Sequence, residues 1–120
     1  MERAAAQVAA RGYCIWAVES PAGELLGACG LYWVETESVP ELSYHFAPSA
    51  WGHGYATEAA GACLRHAHGP LGLRRVVAAT EPEHHASQRV LARIGMRDLG
   101  LVPFDGENSR VYESVAPSGN

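Results

Sequence analysis

The chain contains no lysine: all nine basic residues are arginine, set against thirteen acids for a formal net charge of −4 over 120 residues. That balance is the reverse of a nucleic-acid footprint, and net charge otherwise bears on solubility rather than fold. Without a lysine, a phosphate-binding G-x-x-x-x-G-K-[ST] loop is impossible. Cysteine is also scarce. Cys14, Cys29 and Cys63 are odd in number and form no C-x-x-C pair, which argues against a disulfide framework or a zinc ribbon and fits a reducing compartment. No hydrophobic run approaches the roughly 18 residues of a membrane span. The start, Met1-Glu2-Arg3-Ala4-Ala5-Ala6, lacks the apolar core of a signal peptide. A cytoplasmic protein with neither a nucleic-acid nor a membrane partner is therefore expected.

Metal-ligand spacing is missing too. Of the six histidines, His66 and His68 are two apart on a helix and do not face together. His84 and His85 are adjacent, and no H-E-x-x-H set occurs. No metal site is expected.

What is present is a single domain spanning residues 1–120, in which nearly half the residues are hydrophobic, enough for a sizeable core. The alanine-rich segment Glu2–Arg11 favours helix. Tyr13–Glu19 and Leu25–Trp33 read as strands around a Ser20–Glu24 turn. Glu35–Pro40 is a polar loop, and Glu41–Ala47 alternates as a strand with two unlike faces. After Pro48 comes the glycine-rich segment Trp51-Gly52-His53-Gly54-Tyr55-Ala56-Thr57-Glu58, followed at once by a helix. Ala56, Ala59, Ala60, Cys63, Leu64 and Ala67 form one apolar stripe of that helix, and Gly69-Pro70 ends it. Arg75–Thr80 reads as a strand and His85–Ile94 as a second amphipathic helix stopped by Gly95. Arg97–Val102 and Arg110–Val115 close the chain as strands across the turn-rich link Phe104–Ser109. The order implies a mixed α/β sheet with helices packed on it.

The strand, glycine turn and helix from Glu41 to Ala67 carry the chemistry. Amides at a helix start lack partners within the helix, and the dipole there favours an anion. Gly52 and Gly54 let a ligand approach the backbone, so the segment suits phosphate or pyrophosphate. A dinucleotide fingerprint G-x-G-x-x-G fails for want of its third glycine, where Thr57 stands.

Glu41-Leu42-Ser43-Tyr44-His45-Phe46 followed by Trp51-Gly52-His53-Gly54-Tyr55-Ala56-Thr57-Glu58-Ala59 resembles the central acetyl-CoA motif of the GNAT superfamily. It is closest to the branch of ribosomal-protein N-terminal (alanine) acetyltransferases, which often reads W-G-x-G-Y-A-T-E-A. His84-His85-Ala86-Ser87-Gln88-Arg89-Val90-Leu91-Ala92-Arg93-Ile94-Gly95-Met96 is similar to that branch's N-x-x-S…L-x-K-x-G-F helix. The resemblance covers Gly12–Val115. It implies a GNAT-type fold and acetyl-CoA as cosubstrate, bound by Phe46, Ala47, Trp51, Gly52, His53, Gly54, Tyr55, Ala56, Thr57, His84 and Ser87. The strands at Glu41–Ala47 and Arg75–Thr80 would splay around the pantetheine arm, with an amide near Phe46–Ala47 polarising the thioester.

The implied reaction is transfer of acetyl to a primary amine, a protein N-terminus or a small molecule, by direct attack in a ternary complex. Ser87 would contact or protonate the leaving thiolate. Glu41 is the preferred general base; His45, which shares its strand face, and Glu81 are the others. His84 stands in place of the motif's asparagine, and Leu91 falls where many members carry a tyrosine acid. Arg74 and Arg75 precede a strand and are candidates for pairing with cofactor phosphate. Trp16, Tyr32 and Trp33 belong to the core or the acceptor cleft.

The family's usual first strand and helix are not found ahead of Glu2–Arg11, so the chain is expected to be N-terminally short, with an acceptor half that is open, supplied by a partner, or lost. A non-catalytic acyl-CoA-binding module remains an alternative. So does an interaction domain pairing through a bare Tyr13–Glu19 edge, and self-association as a homodimer is also open.

Overall fold

The computed structural model describes residues 2–3, 12–52 and 54–116. The elements are β1 (Glu2–Arg3), β2 (Gly12–Glu19), β3 (Leu25–Val34), β4 (Val39–Phe46), a 3-10 turn (Pro48–Ala50), α1 (Tyr55–His68), β5 (Arg75–Thr80), α2 (His85–Arg93), β6 (Arg97–Phe104) and β7 (Glu107–Val115). They form one mixed sheet in the order β1-β2-β3-β4-β5-β7-β6. All neighbours are antiparallel except β4 and β5.

The helices pack on one face. The stripe of α1 buries Ala59, Ala60, Cys63, Leu64 and Ala67, and α2 buries Ser87 and Leu91. Opposite them lie Trp16, Val18, Cys29, Leu31, Leu42, Val76 and Ala78, in one core. The other face of the sheet holds a smaller core of Val34, Val39, Val77, Phe104 and Val111. Alternation along β4 therefore sends Leu42, Tyr44 and Phe46 toward the helices and Glu41, Ser43 and His45 away from them.

The parallel pair is the fold's unusual seam. β4 and β5 share one register pair, Glu41 with Val77, whereas β5 and β7 share six. Beyond Glu41 the two strands part.

Three expectations are corrected. Glu2–Arg3 does not begin a helix; these residues pair with Val18 and Ala17 of β2, because a sheet edge offers ladder hydrogen bonds that outweigh alanine's helix preference. The edge of β2 is accordingly not bare at those two positions. The remainder of the expected helix, 4–11, lies outside the described residues. β4 starts at Val39 rather than Glu41 and includes Pro40. The Ala47 amide donates to the Leu26 carbonyl at 2.8 Å, which places the amides of Glu41, Ser43 and His45 on the β3 side and those of Leu42, Tyr44 and Phe46 on the β5 side. Pro40 falls in the second set, so its missing N–H costs the β3 ladder nothing. Finally, the turn-rich link expected at Phe104–Ser109 is shorter than its bounds, because β6 runs on to Phe104 and β7 starts at Glu107. Phe104 pairs with Glu107 around Asp105 and Gly106, whose φ values of 50° and 86° make a two-residue hairpin turn.

Candidate acyl-CoA groove

The parting of β4 from β5 opens a groove floored by the strands and walled by α1 and α2. Its inner part, about 390 Å³, is lined by Leu42, Ser43, Tyr44, His45, Ala78, Ala79, Thr80, Glu81, His84, Ser87 and Leu91. A middle part of about 230 Å³ lies between Tyr44, Phe46, Trp51, His84, Ser87 and Val90. An outer part of about 390 Å³ is bounded by Trp51, Gly52, Gly54, Tyr55, Thr57, Arg89 and Arg93. Shared lining residues join the three end to end.

The outer part brings together a glycine turn, a helix start and two arginines. Gly52 and Gly54 take φ values of 83° and 79°, and a Cβ at either would meet nothing within 4 Å. Backbone conformation, not crowding, is thus what calls for glycine here. Gly54 is the N-cap of α1 and provides no side-chain cap, so the first-turn amides face the groove mouth without one. From the opposite wall α2 presents exposed Arg89 and Arg93. The ion pairs among the described residues engage Arg75, Arg97 and Arg110 instead. Neither Arg89 nor Arg93 was singled out from sequence, although their i, i+4 spacing on one helix face was available.

Along the middle, β4 offers its backbone. The Phe46 carbonyl accepts a hydrogen bond from Trp51 Nε1 at 3.0 Å, which folds the 65% exposed Trp51 ring over the groove. The Phe46 amide lies on the same side of its strand. Of the two amides expected as oxyanion donors, then, Phe46's turns to the groove and Ala47's is committed to β3.

Ser87 is buried on α2, and its Oγ lies 2.8 Å from the Tyr44 hydroxyl. Tyr44 escaped the sequence reading, since alternation marks it only as an inward strand residue. Burial pushes its phenol up to about 12, partly opposed by the Ser87 hydrogen bond. Leu91, one turn beyond Ser87, is fully buried in the core.

Glu41 stands where the strands part, on the face away from the helices. Desolvation raises its carboxyl above the ordinary range, a backbone hydrogen bond at Ala79 works against the shift, and Asp105 adds to it. Glu41 and Ser87 thus approach the seam from opposite faces. His45 is exposed beside the groove. Glu81 sits at its inner end, where Gln88 Nε2 ties the following turn to α2 by donating to the Pro82 carbonyl at 3.0 Å. His84 is the α2 N-cap without a capping hydrogen bond and borders both the middle and inner parts. His53 lies outside the described residues.

Other candidates fall elsewhere. Arg75 is bound to Glu113 and does not line the groove. Trp16 is buried, with its ring edge-on to His66 at 5.1 Å, and Tyr32 pairs with Glu41 across the ladder. Among the described residues no group of three or more His, Cys, Asp or Glu side chains could hold a metal, and no helix is long and apolar enough to cross a membrane.

A mixed sheet split at one parallel seam, with a glycine turn and helix start at its mouth, is the architecture of GNAT-type acyltransferase domains. The family model described as "Acetyltransferase (GNAT) domain" matches residues 1–97, and the chain belongs to that family. It is 40% identical over 105 residues to the uncharacterized protein YkkB of Bacillus subtilis, covering 85% of this chain and 61% of YkkB. It is 37% identical over 96 residues to the uncharacterized N-acetyltransferase YnaD of the same organism, covering 80% of this chain and 51% of YnaD. Mycobacterium smegmatis RimJ, solved in complex with CoA-disulfide, superposes with a TM-score of 0.75 at 28% identity, covering 88% of this chain and 54% of RimJ. The chain therefore spans about half to three-fifths of the length of these relatives.

Proposed function

We propose that the protein is an acetyl-CoA-dependent N-acetyltransferase that moves an acetyl group onto a primary amine, a protein N-terminus or a small-molecule amine, by direct attack in a ternary complex. The observation that carries this reading is the seam: β4 and β5 part after Glu41, and the gap leads to the glycine turn and the start of α1, flanked by two arginines.

The groove fits the cosubstrate's chemistry along its length. The amides from Gly52 to Thr57, with Arg89 and Arg93, would take the phosphates. The β4 edge at Tyr44 and Phe46 would pair with the pantetheine amides as an added strand would, under the Trp51 ring. When bound, acetyl-CoA supplies an acyl carbon activated by its thioester. The Phe46 amide would stabilise charge developing on the carbonyl oxygen. Glu41, approaching from the opposite face, would take the proton the amine gives up as the C–N bond forms. Its raised pKa suits a base working near neutrality. The C–S electron pair leaves on sulfur, beside Ser87.

The test is turnover. Acetyl-CoA and a peptide with a free α-amine are incubated with the protein, and the peptide is read by mass spectrometry, with a panel of small-molecule amines in parallel. Acetylation that falls by roughly a hundredfold or more in Glu41→Gln supports the reading, that range being typical for a general base. Acetyl-CoA binding without transfer to any amine would leave a non-catalytic binding module.

A further inference from the structure

We infer that Tyr44 is a positioning residue whose phenol O–H, donated across the groove to Ser87 Oγ, aims the Ser87 hydroxyl hydrogen at the departing sulfur. This rests on the acetyl-transfer reading and adds to it a residue from the strand wall.

Tyr44 has one proton to donate and two acceptors in range: Ser87 Oγ at 2.8 Å and the Ser87 carbonyl at 3.4 Å. The shorter contact lies within the normal O–H···O range and the longer does not; either hydroxyl can be the donor in it, and the inferred arrangement gives that role to the phenol. The Ser87 hydrogen is then free to point elsewhere. Burial holds the phenol neutral well above physiological pH, so the donor role persists at any working pH.

The surroundings make the pair more than a packing detail. Tyr44 and Ser87 both line the middle and the inner parts of the groove, so the hydrogen bond sits at their junction. Leu42 and Phe46, its neighbours on the same strand face, are apolar and belong with the main core. A phenylalanine would serve packing at position 44, and a hydroxyl there costs desolvation unless it is bonded. A hydrogen bond received at Oγ also polarises the Ser87 O–H, strengthening it as a donor. The step needs no proton from Tyr44. The C–S electron pair goes to sulfur, Ser87 hydrogen-bonds the thiolate, and the amine's proton goes to Glu41.

Binding of CoA and of desulfo-CoA, compared by calorimetry, tests this without an acceptor. The CoA thiol is a weaker acid than the cysteine side chain, whose ordinary value is about 8.5, so titrations at about pH 7 and about pH 9.5 compare the thiol with a mixture that contains thiolate. The wild-type protein is expected to bind CoA more tightly at the higher pH, relative to desulfo-CoA. Tyr44→Phe should lose about fivefold of that gain, the worth of about one hydrogen bond, with desulfo-CoA affinity unchanged. Ser87→Ala should lose all of it, and adding Tyr44→Phe to Ser87→Ala should change nothing further. Equal weakening of both ligands in Tyr44→Phe, or an unaltered CoA gain, would overturn the assignment. Failure of the folded wild-type protein to bind either ligand would instead overturn the acetyl-CoA reading itself, and this inference with it.

Discussion

At the scale of single residues, the groove depends on a few positions whose neighbours leave no choice. Gly27 faces Phe46 across the β3–β4 ladder. A Cβ there would meet the His45 carbonyl oxygen at 2.2 Å and Phe46 Cα at 2.8 Å, both backbone atoms that cannot swing aside. Gly27→Ala should cost about 2 kcal/mol or more through forced backbone shifts, read as a lowered urea midpoint. It should also weaken acetyl-CoA binding, because the strand it displaces is the one that carries Phe46. Glu41 behaves in the opposite sense. Its folded pKa is raised by burial, so the native state binds the proton more readily than the unfolded chain does. The penalty is absent below the ordinary carboxyl value, grows as pH rises toward the folded pKa, and is fully present above it. Glu41→Gln should therefore stabilise the protein at pH 7, by denaturant melts, while turnover falls. A loss of stability at pH 7 would show that the carboxylate is not desolvated.

At the scale of elements, much was legible. The α1 stripe read from spacing is the one that packs, because burial on one helix face imposes a 3.6-residue period on the sequence. Its first member, Ala56, is only half-buried and lines the groove, which periodicity cannot distinguish from core. The glycine turn was legible because Gly52 and Gly54 occupy backbone conformations that few other residues tolerate. Tyr44 was not, since its partner Ser87 is forty-three positions away and only the fold brings them together. Arg89 and Arg93 were hidden by the same distance from Gly54. Sequence shows exposed arginines on a helix, whereas their meaning comes from facing the start of α1. Arg89→Ala and Arg93→Ala should each raise the acetyl-CoA Kd by about threefold to tenfold, about 1 kcal/mol for a charge-assisted contact at an exposed site. Both effects should shrink with added salt, and calorimetry at two salt concentrations checks this. Asp105-Gly106 was legible in principle, because a two-residue turn with positive φ at both positions favours that dipeptide.

At the scale of the whole molecule, the half of the sheet beyond the seam needs its own fastening. Glu113 on β7 is 9% exposed and is hydrogen-bonded to Arg75 on β5 and paired with Arg97 on β6. One carboxylate thus holds three strands. The Arg75 and Arg97 hydrogen bonds keep its carboxyl below the ordinary range. That contribution is fully present above the ordinary carboxyl value and is lost as pH falls toward the depressed one. Glu113→Gln should lower the thermal midpoint at pH 7, and the difference from wild type should narrow as acid protonates the native carboxyl. A gap that stays constant down to acid pH would mean the pair contributes packing and not charge. The unexpected β1 pairing belongs to this scale as well. Two extended residues at an edge leave no periodic trace in an alanine-rich stretch, so only the assembled sheet reveals them.

The central claim is that the gap between β4 and β5, with the glycine turn at its mouth, is an acetyl-CoA site. Calorimetric titration of acetyl-CoA into the protein and into Gly54→Glu tests it most directly. The open space around Gly54 accommodates the longer side chain in the folded protein. Its φ of 79° adds local strain, which circular dichroism and a thermal melt measure alongside. The account predicts micromolar binding by the wild-type chain and none by the folded variant, whose carboxylate would occupy the anion site. Wild-type protein that is folded and binds no acetyl-CoA, or a variant that binds it equally well, would contradict it.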